Sequence, residues 1–235
     1  MRSEEKENTH LAKSLAGREL WFDLDGTLAL AAEPIVRKFN QDYGTELTIA
    51  DITHFWVLSK HLRLLDPNMD EETARHIEYW NYWAKGELLS QAPVIPGALE
   101  VIKRLCAVQQ QANLTINIIT SREPDLADCT HQWLKNNRFL DFIDPKNVHH
   151  RGPGSMSGHG FKESKVRGGI VFDDSVSDAK RILEGDDQGT WVIWLPYLDE
   201  IGTYSHERLV VIKEMASDRD FRHVYNELLR WDFSR

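Results

Sequence analysis

The stretch RELWFDLDG, from Arg18 to Gly26, is a short apolar run that ends in two carboxylates and a glycine. Apolar runs of this length are typical of buried strands in parallel sheets, because helices cover both faces of such strands. Asp23 and Asp25 stand at the carboxyl end of the run. The sequence therefore predicts a strand that delivers two acids to a loop at one edge of a sheet.

Three further apolar runs follow along the chain, at Leu114–Ser121, Gly168–Ser175 and Thr190–Leu195. Helical patterns separate the runs, and this alternation predicts an α/β fold with a doubly wound parallel sheet. The tail, from His206 to Trp231, is predicted to form one or two amphipathic helices.

Residues 30–93 have helical patterns only and predict a small all-helical domain inserted after the first strand. Its helices are expected at Glu33–Tyr43, Ile49–Leu65 and Glu71–Leu89. The α/β core would then comprise residues 18–29 and 94–235. Residues 1–17 are polar and aperiodic, and they are expected to form a flexible leader.

The composition limits the partners and the compartment of the protein. The 235 residues carry a formal net charge of −9, which gives no general attraction to nucleic-acid polymers or anionic membranes. Long apolar runs and an apolar signal-peptide core are absent from the sequence, so we expect a cytoplasmic protein without a membrane anchor. The two cysteines, Cys106 and Cys129, suggest neither a disulfide framework nor a thiolate metal site.

Chemically useful side chains stand where the predicted strands end, which is where ligands gather in such sheets. Thr120 and Ser121 end the second run, and a group of acids ends the first and the third: Asp23, Asp25, Asp173 and Asp174, with Asp178 one turn into the next helix. Packed carboxylates repel one another unless a cation holds them ionised. Oxygen ligands without nearby His or Cys favour Mg²⁺ over zinc, so the five acids are the expected magnesium site.

Three of these segments together resemble the haloacid dehalogenase (HAD) superfamily. FDLDGTL, from Phe22 to Leu28, is similar to the first HAD motif, IITS to the second, and VFDDSVSD to the acidic fourth motif. The resemblance implies a Rossmann-like core in which Asp23 is a nucleophile that carries the phosphoryl group and Asp25 is the general acid–base. It also implies that Asp174 meets the metal and that Asp178 supports it.

The resemblance further implies a phosphate-binding set that includes a lysine. Thr120 and Ser121 offer a hydroxyl and backbone N–H groups, and both Lys162 and Lys165 in GFKESKV are available as the lysine. The loop-then-helix arrangement and the spacing to Asp173 favour Lys162.

The helical insertion lies at the position of the HAD C1 cap, a lid that selects the substrate. With the segment PVIPGALEVIKRL and the Thr-Ser and Asp-Asp pairs, it makes the chain most similar to the 5′(3′)-deoxyribonucleotidases, which implies a nucleoside monophosphate as substrate. The expected substrate contacts are Phe55, Trp56, Trp80 and Trp83, with Arg122 reaching a second anionic group. Aromatic residues at helical spacing are also typical of a small hydrophobic core.

Two other functions remain open at this stage. A phosphosugar mutase, or a phosphatase of another small phosphoester, would use the same acids. A non-catalytic protein that binds a phosphorylated ligand is the third hypothesis, although the presence of both Asp23 and Asp25 argues against it.

Overall fold

The computed structural model of the protein describes residues 2–53, 56–151, 160–197 and 200–233. Its centre is a six-stranded, fully parallel sheet with the order β3-β2-β1-β4-β5-β6. The strands are β1 (Glu19–Asp23), β2 (Thr115–Thr120), β3 (Val148–His150), β4 (Ile170–Asp173), β5 (Trp191–Trp194) and β6 (Leu209–Val211). The predicted doubly wound α/β fold is confirmed.

Ten α-helices accompany the strands in the described residues. Those between β1 and β2 are α2 (Ala32–Tyr43), α3 (Val57–Leu65), α4 (Glu71–Glu78), α5 (Gly86–Leu89) and α6 (Ala98–Ala112). The others are α1 (Arg2–Ser14), α7 (Ala127–Asn136), α8 (Phe161–Lys165), α9 (Val176–Gly185) and α10 (Arg222–Leu228).

Side chains of alternate strand residues supply two hydrophobic clusters, one on each face of the sheet. On β1, Leu20 and Phe22 belong to the larger cluster, which also contains the buried side of α6. Trp21 belongs to the other, with residues of α9. Phe22 stacks on Phe172 of β4, with ring centroids 4.2 Å apart. This packing holds β1 and β4 side by side, so that their carboxyl ends meet.

The helices α2–α5 bury a third hydrophobic cluster, which is separate from the two clusters on the sheet. It includes Phe39, Leu58, Leu62 and Tyr82, and Leu126 joins it from the segment that follows β2. Because the helices have a core of their own, we propose that residues 30–93 form the cap unit expected from the sequence.

The N-terminal segment differs from the expected flexible leader. Residues Arg2–Ser14 form α1, which packs against α6, and Leu11 and Leu15 are completely buried in the larger cluster. Leu15 directly follows α1, and its backbone N–H donates to the carbonyl of Leu11 at 2.9 Å, so the two leucines lie on one face and bury together.

Other differences concern short elements. The expected helix at Glu71–Leu89 is divided into α4, a π-helical turn at Tyr79–Trp83 and α5, and the one at Ile49–Leu65 begins with a separate 3₁₀ turn. The tail contains β6 as well as α10, and β3 was not expected at all. Both unexpected strands have only three residues, too few to display a strand pattern. Within the described residues, none of the helices has the length and apolarity needed to span a bilayer.

Candidate active site

Three of the predicted acids meet where β1 and β4 end. Asp23 is the last residue of β1 and Asp173 is the last of β4, and the two strands are adjacent in the sheet. Carboxylate oxygens of Asp23, Asp173 and Asp174 all lie within 4.8 Å of one another. The strand order reverses its direction between β1 and β4, and this group lies at the carboxyl ends of these two strands. Ligand sites of doubly wound sheets lie at this position.

Lys162 of α8 is buried beside this group. Its Nζ lies 2.8 Å from Asp23, 2.7 Å from Asp173 and 2.9 Å from Asp178. Burial alone would lower the pKa of Lys162, but the attraction of Asp173, Asp178 and Asp23 outweighs it and raises the pKa well above its usual value. Lys162 is therefore a fixed cation. Lys165, the other predicted phosphate ligand, is exposed at the end of α8 and does not line the cavity described below.

The three grouped acids carry more negative charge than the neighbouring Lys162 can balance. Burial raises the pKa of Asp23 well above its usual range, and Asp173 and Asp174 add to this rise while Lys162 opposes it. Burial and the charge of Asp173 likewise raise the pKa of Asp174 to about 7. A divalent cation held by Asp23, Asp173 and Asp174 would remove this repulsion, and an all-oxygen set fits Mg²⁺.

Gly26 lets the loop after β1 pass close to these acids. Its φ angle is +81°, and a Cβ placed on it would lie 1.9 Å from Oδ2 of Asp174. Only glycine fits both the backbone conformation and the space. The carbonyl oxygen of Gly26 also accepts a hydrogen bond from Arg219 at 3.1 Å.

Asp25 has a different environment from Asp23. Arg122 donates to both of its carboxylate oxygens, from Nε at 2.8 Å and from Nη2 at 2.6 Å. Asp25 was predicted to be a metal ligand. In the structure it lies outside the three-acid group and pairs with Arg122 instead. The ion pair thus sets Asp25 apart from the three-acid group that contains Asp23.

Asp178 was also predicted as a metal ligand and likewise lies outside the three-acid group. It pairs with Lys162 and with Arg181, and these cations outweigh the effect of burial and lower its pKa. Its contact with Lys162 gives Asp178 a supporting position beside the lysine.

A cavity of about 420 Å³ opens above the three-acid group. Thr120 and Ser121 line it together with Asp23, Asp25 and Lys162, so the two hydroxyl residues reach the same space as the acids. Arg122, Arg151 and Arg181 also line it. The cavity therefore combines acids that suit a metal with cations and hydroxyls that suit a phosphoryl group.

The predicted aromatic contacts divide into two groups. Trp56 and Trp83 line the cavity from the cap side. Trp80 does not line it: its side chain is 49% exposed and lies near His76 and Tyr79. Phe55 lies outside the described residues.

Other cavity residues were not predicted. Tyr197 lies three residues after β5 and lines the cavity, where its side chain opposes the rise in the pKa of Asp174. Arg151 follows β3 and pairs with Glu123, whose Oε1 also accepts a hydrogen bond from Tyr79 of the cap at 2.5 Å. The rule that strand ends carry the site would have found Tyr197 and Arg151 if applied to β5 and to the overlooked β3.

Solved structures with a similar fold include HAD hydrolases. YfnB from Bacillus subtilis, described as a HAD-hydrolase bound to magnesium, is 15% identical, with a TM-score of 0.54 over 91% of this chain and 99% of that one. A mutant of CbbY from Rhodobacter sphaeroides, in complex with xylulose-(1,5)bisphosphate, is 14% identical, with a TM-score of 0.47 over 86% and 99% of the two chains. At these identities the likeness to YfnB supports the fold alone, and that to CbbY adds nothing to it.

No curated protein matches the sequence. A sequence model of one family does match, over residues 18–183, which contain all the acids of the site. The family's description is "5' nucleotidase, deoxy (Pyrimidine), cytosolic type C protein". The matched segment spans more than half of the chain and includes the three segments that resemble HAD motifs. The chain therefore belongs to this 5′ nucleotidase family of HAD-type phosphatases.

Proposed function

We propose that this HAD phosphatase is a Mg²⁺-dependent phosphomonoesterase that acts on nucleoside monophosphates through an aspartyl-phosphate on Asp23. The observation that carries the proposal is the cavity lined by Asp23, Lys162 and Thr120, with Asp173 and Asp174 beside the same carboxylate. This arrangement combines a nucleophile, a fixed cation and phosphate-binding hydroxyls within one space.

In the first half of the reaction, a carboxylate oxygen of Asp23 attacks phosphorus and the bond from phosphorus to the leaving oxygen breaks. Asp25 supplies the proton that the leaving oxygen takes up. Lys162 and the hydroxyls of Thr120 and Ser121 stabilise the charge on the phosphoryl oxygens.

In the second half, a water molecule attacks phosphorus of the aspartyl-phosphate and its proton passes to Asp25. The bond from Asp23 to phosphorus breaks, which releases phosphate and restores the carboxylate of Asp23. Asp25 thus acts first as acid and then as base, so each turnover leaves it as it began.

Asp23, Asp173 and Asp174 would hold the magnesium ion. When bound, Mg²⁺ supplies positive charge that keeps these carboxylates ionised and neutralises the phosphoryl group.

The cap side of the cavity supports a nucleotide as substrate. Trp56, Tyr79 and Trp83 offer aromatic surface, and aromatic faces stack on nucleobases with little dependence on the base. The family description names a deoxynucleotide phosphatase and a cytosolic protein, which agrees with this substrate and supports a cytoplasmic location.

A phosphate-release screen tests the proposal. The substrates are deoxynucleoside and ribonucleoside monophosphates, phosphosugars and p-nitrophenyl phosphate, each with Mg²⁺ and with EDTA. We expect Mg²⁺-dependent release that is fastest with the nucleotides. Formation of an isomeric phosphosugar without free phosphate would favour a mutase, and equal rates on all phosphoesters would remove the nucleotide assignment.

The nucleophile is tested by Asp23→Asn, which should reduce phosphate release from every substrate to background while the protein stays folded. Asp125→Asn is a matched control, because Asp125 is exposed and does not line the cavity. It should keep full activity. Substantial turnover by Asp23→Asn would overturn the assignment.

A further inference from the structure

The contact between Arg122 and Asp25 is a bidentate ion pair that holds the carboxylate in place. Two parallel N–H groups of Arg122 meet the two oxygens of Asp25, and only 3% of the arginine side chain is exposed. Such bidentate pairs fix orientation as well as distance, because the planar guanidinium matches the planar carboxylate. A rotation of Asp25 would break both bonds together.

Arg122 is itself held from its other side. Its Nη1 donates to Oγ1 of Thr130, a completely buried residue of α7, at 3.1 Å. Its backbone N–H donates to Oγ1 of Thr120 at 3.2 Å. The guanidinium therefore joins the loop after β1 to α7, while its backbone belongs to the phosphate-binding loop after β2.

The same contacts disfavour direct binding of substrate by Arg122. Asp25 occupies the edge of the guanidinium formed by Nε and Nη2, and Thr130 accepts a hydrogen bond from Nη1. A substrate anion could bind the Nε–Nη2 edge only by displacing the carboxylate of Asp25 and leaving it unpaired. Lys162 cannot replace the arginine there, because it is engaged with Asp23, Asp173 and Asp178.

We infer that Arg122 is a positioning residue that acts through Asp25, holding this carboxylate in one orientation beside the phosphate-binding loop. The inference rests on the proposed function, in which Asp25 is the general acid–base. It replaces the sequence-based expectation that Arg122 contacts a second anionic group of the substrate.

A double-mutant cycle tests the inference, with kcat and KM measured for p-nitrophenyl phosphate and for a nucleoside monophosphate. Arg122→Ala should lower kcat by about 10²-fold, because a catalytic group that is misplaced by about 1 Å loses activity on this scale. KM should change less than about twofold, since no substrate contact is lost. In the Asp25→Asn background, the same substitution should lower kcat by less than about twofold, because residues that act as a unit are not additive.

Arg122→Lys should recover little of the lost kcat, because an ammonium group cannot make the bidentate contact. It also serves as the second variant in the cycle if Arg122→Ala does not fold. Arg167→Ala is the control, because Arg167 is exposed and does not line the cavity. Its kcat and KM should equal those of the wild type.

The outcomes separate the inference from the function on which it rests. A rise in KM with unchanged kcat would show that Arg122 binds substrate, and a full further loss of kcat in the Asp25→Asn background would show that it acts independently of Asp25. Either result overturns the inference while the phosphatase assignment stands. Absence of turnover by the wild type on every phosphomonoester would overturn the proposed function and the inference with it.

Discussion

Gly26 is the residue at which the backbone and the acid cluster constrain each other most directly. Alanine there would meet Asp174 and would have to hold a φ angle of +81°. We expect Gly26→Ala to lower the free energy of unfolding by at least about 1–3 kcal/mol, the usual cost of such a backbone conformation. It should also abolish Mg²⁺-dependent phosphate release, because Asp174 must move. Thermal melts and the release assay measure the two effects.

Gly189 provides a matched control for this substitution. Its φ angle is +83°, yet a Cβ there has no atom within 4 Å. Gly189→Ala should therefore show the stability loss without the loss of activity. Equal activity in the two variants would contradict the proposed importance of the Gly26–Asp174 contact.

The buried carboxylate of Glu78, in the cap, predicts that the stability of the folded protein depends on pH. Its carboxylate is completely buried and accepts hydrogen bonds from the backbone of Ser59 at 2.7 Å and the indole of Trp83 at 3.2 Å. Burial outweighs these bonds and raises the pKa of Glu78 from 4.5 to about 7. Between these pH values the folded protein keeps a proton that the unfolded chain releases, so stability falls as pH rises.

The measurement compares wild type with Glu78→Gln, which cannot ionise. The free energy of unfolding of the wild type, relative to this variant, should fall by about 3 kcal/mol between pH 4.5 and pH 7. Glu87→Gln, at an exposed position in the same cap, should keep the wild-type slope. Parallel curves for wild type and Glu78→Gln would contradict the assignment.

At the scale of elements, α1 is part of the core. Leu15 is completely buried at the end of this helix, where α1 packs against α6. Leu15→Ala should lower the free energy of unfolding by about 2–5 kcal/mol, as other buried Leu→Ala substitutions do. Lys13→Ala, on the exposed side of the same helix, should have little effect. Urea denaturation measures both free energies of unfolding. Equal stability of the two variants would show that α1 is not part of the core.

The elements that the sequence predicted well are those with long apolar patterns. β1, β2 and β4 were expected at nearly their observed positions, and the acids and hydroxyl residues at their ends therefore could be grouped in advance. Neither β3 nor β6 could be predicted, because three residues do not establish a period. The pairing of Arg122 with Asp25 joins residues 97 positions apart, and it depends on side-chain orientations that no local pattern records.

At the scale of the whole molecule, the acid cluster couples metal binding to stability. A ligand that binds only the folded state adds about 2.7 kcal/mol at a hundred times its Kd. Mg²⁺ should therefore raise the Tm of the wild type and of Asp125→Asn. It should raise the Tm of Asp174→Asn much less, because one of the three grouped carboxylates is lost. A Tm of the wild type that does not respond to Mg²⁺ would contradict the proposed metal site.

The hydrogen bond from Arg219 to the carbonyl of Gly26 joins positions 193 residues apart. A ribosome makes the loop with the nucleophile early and Arg219 late, and at roughly 5–20 residues per second the interval is roughly 10–40 s. Throughout that interval the nascent chain carries Asp23 without a finished enzyme around it. Onset of phosphate release during translation would therefore report completion of the fold, and chains halted before Arg219 should be catalytically weaker than full-length ones.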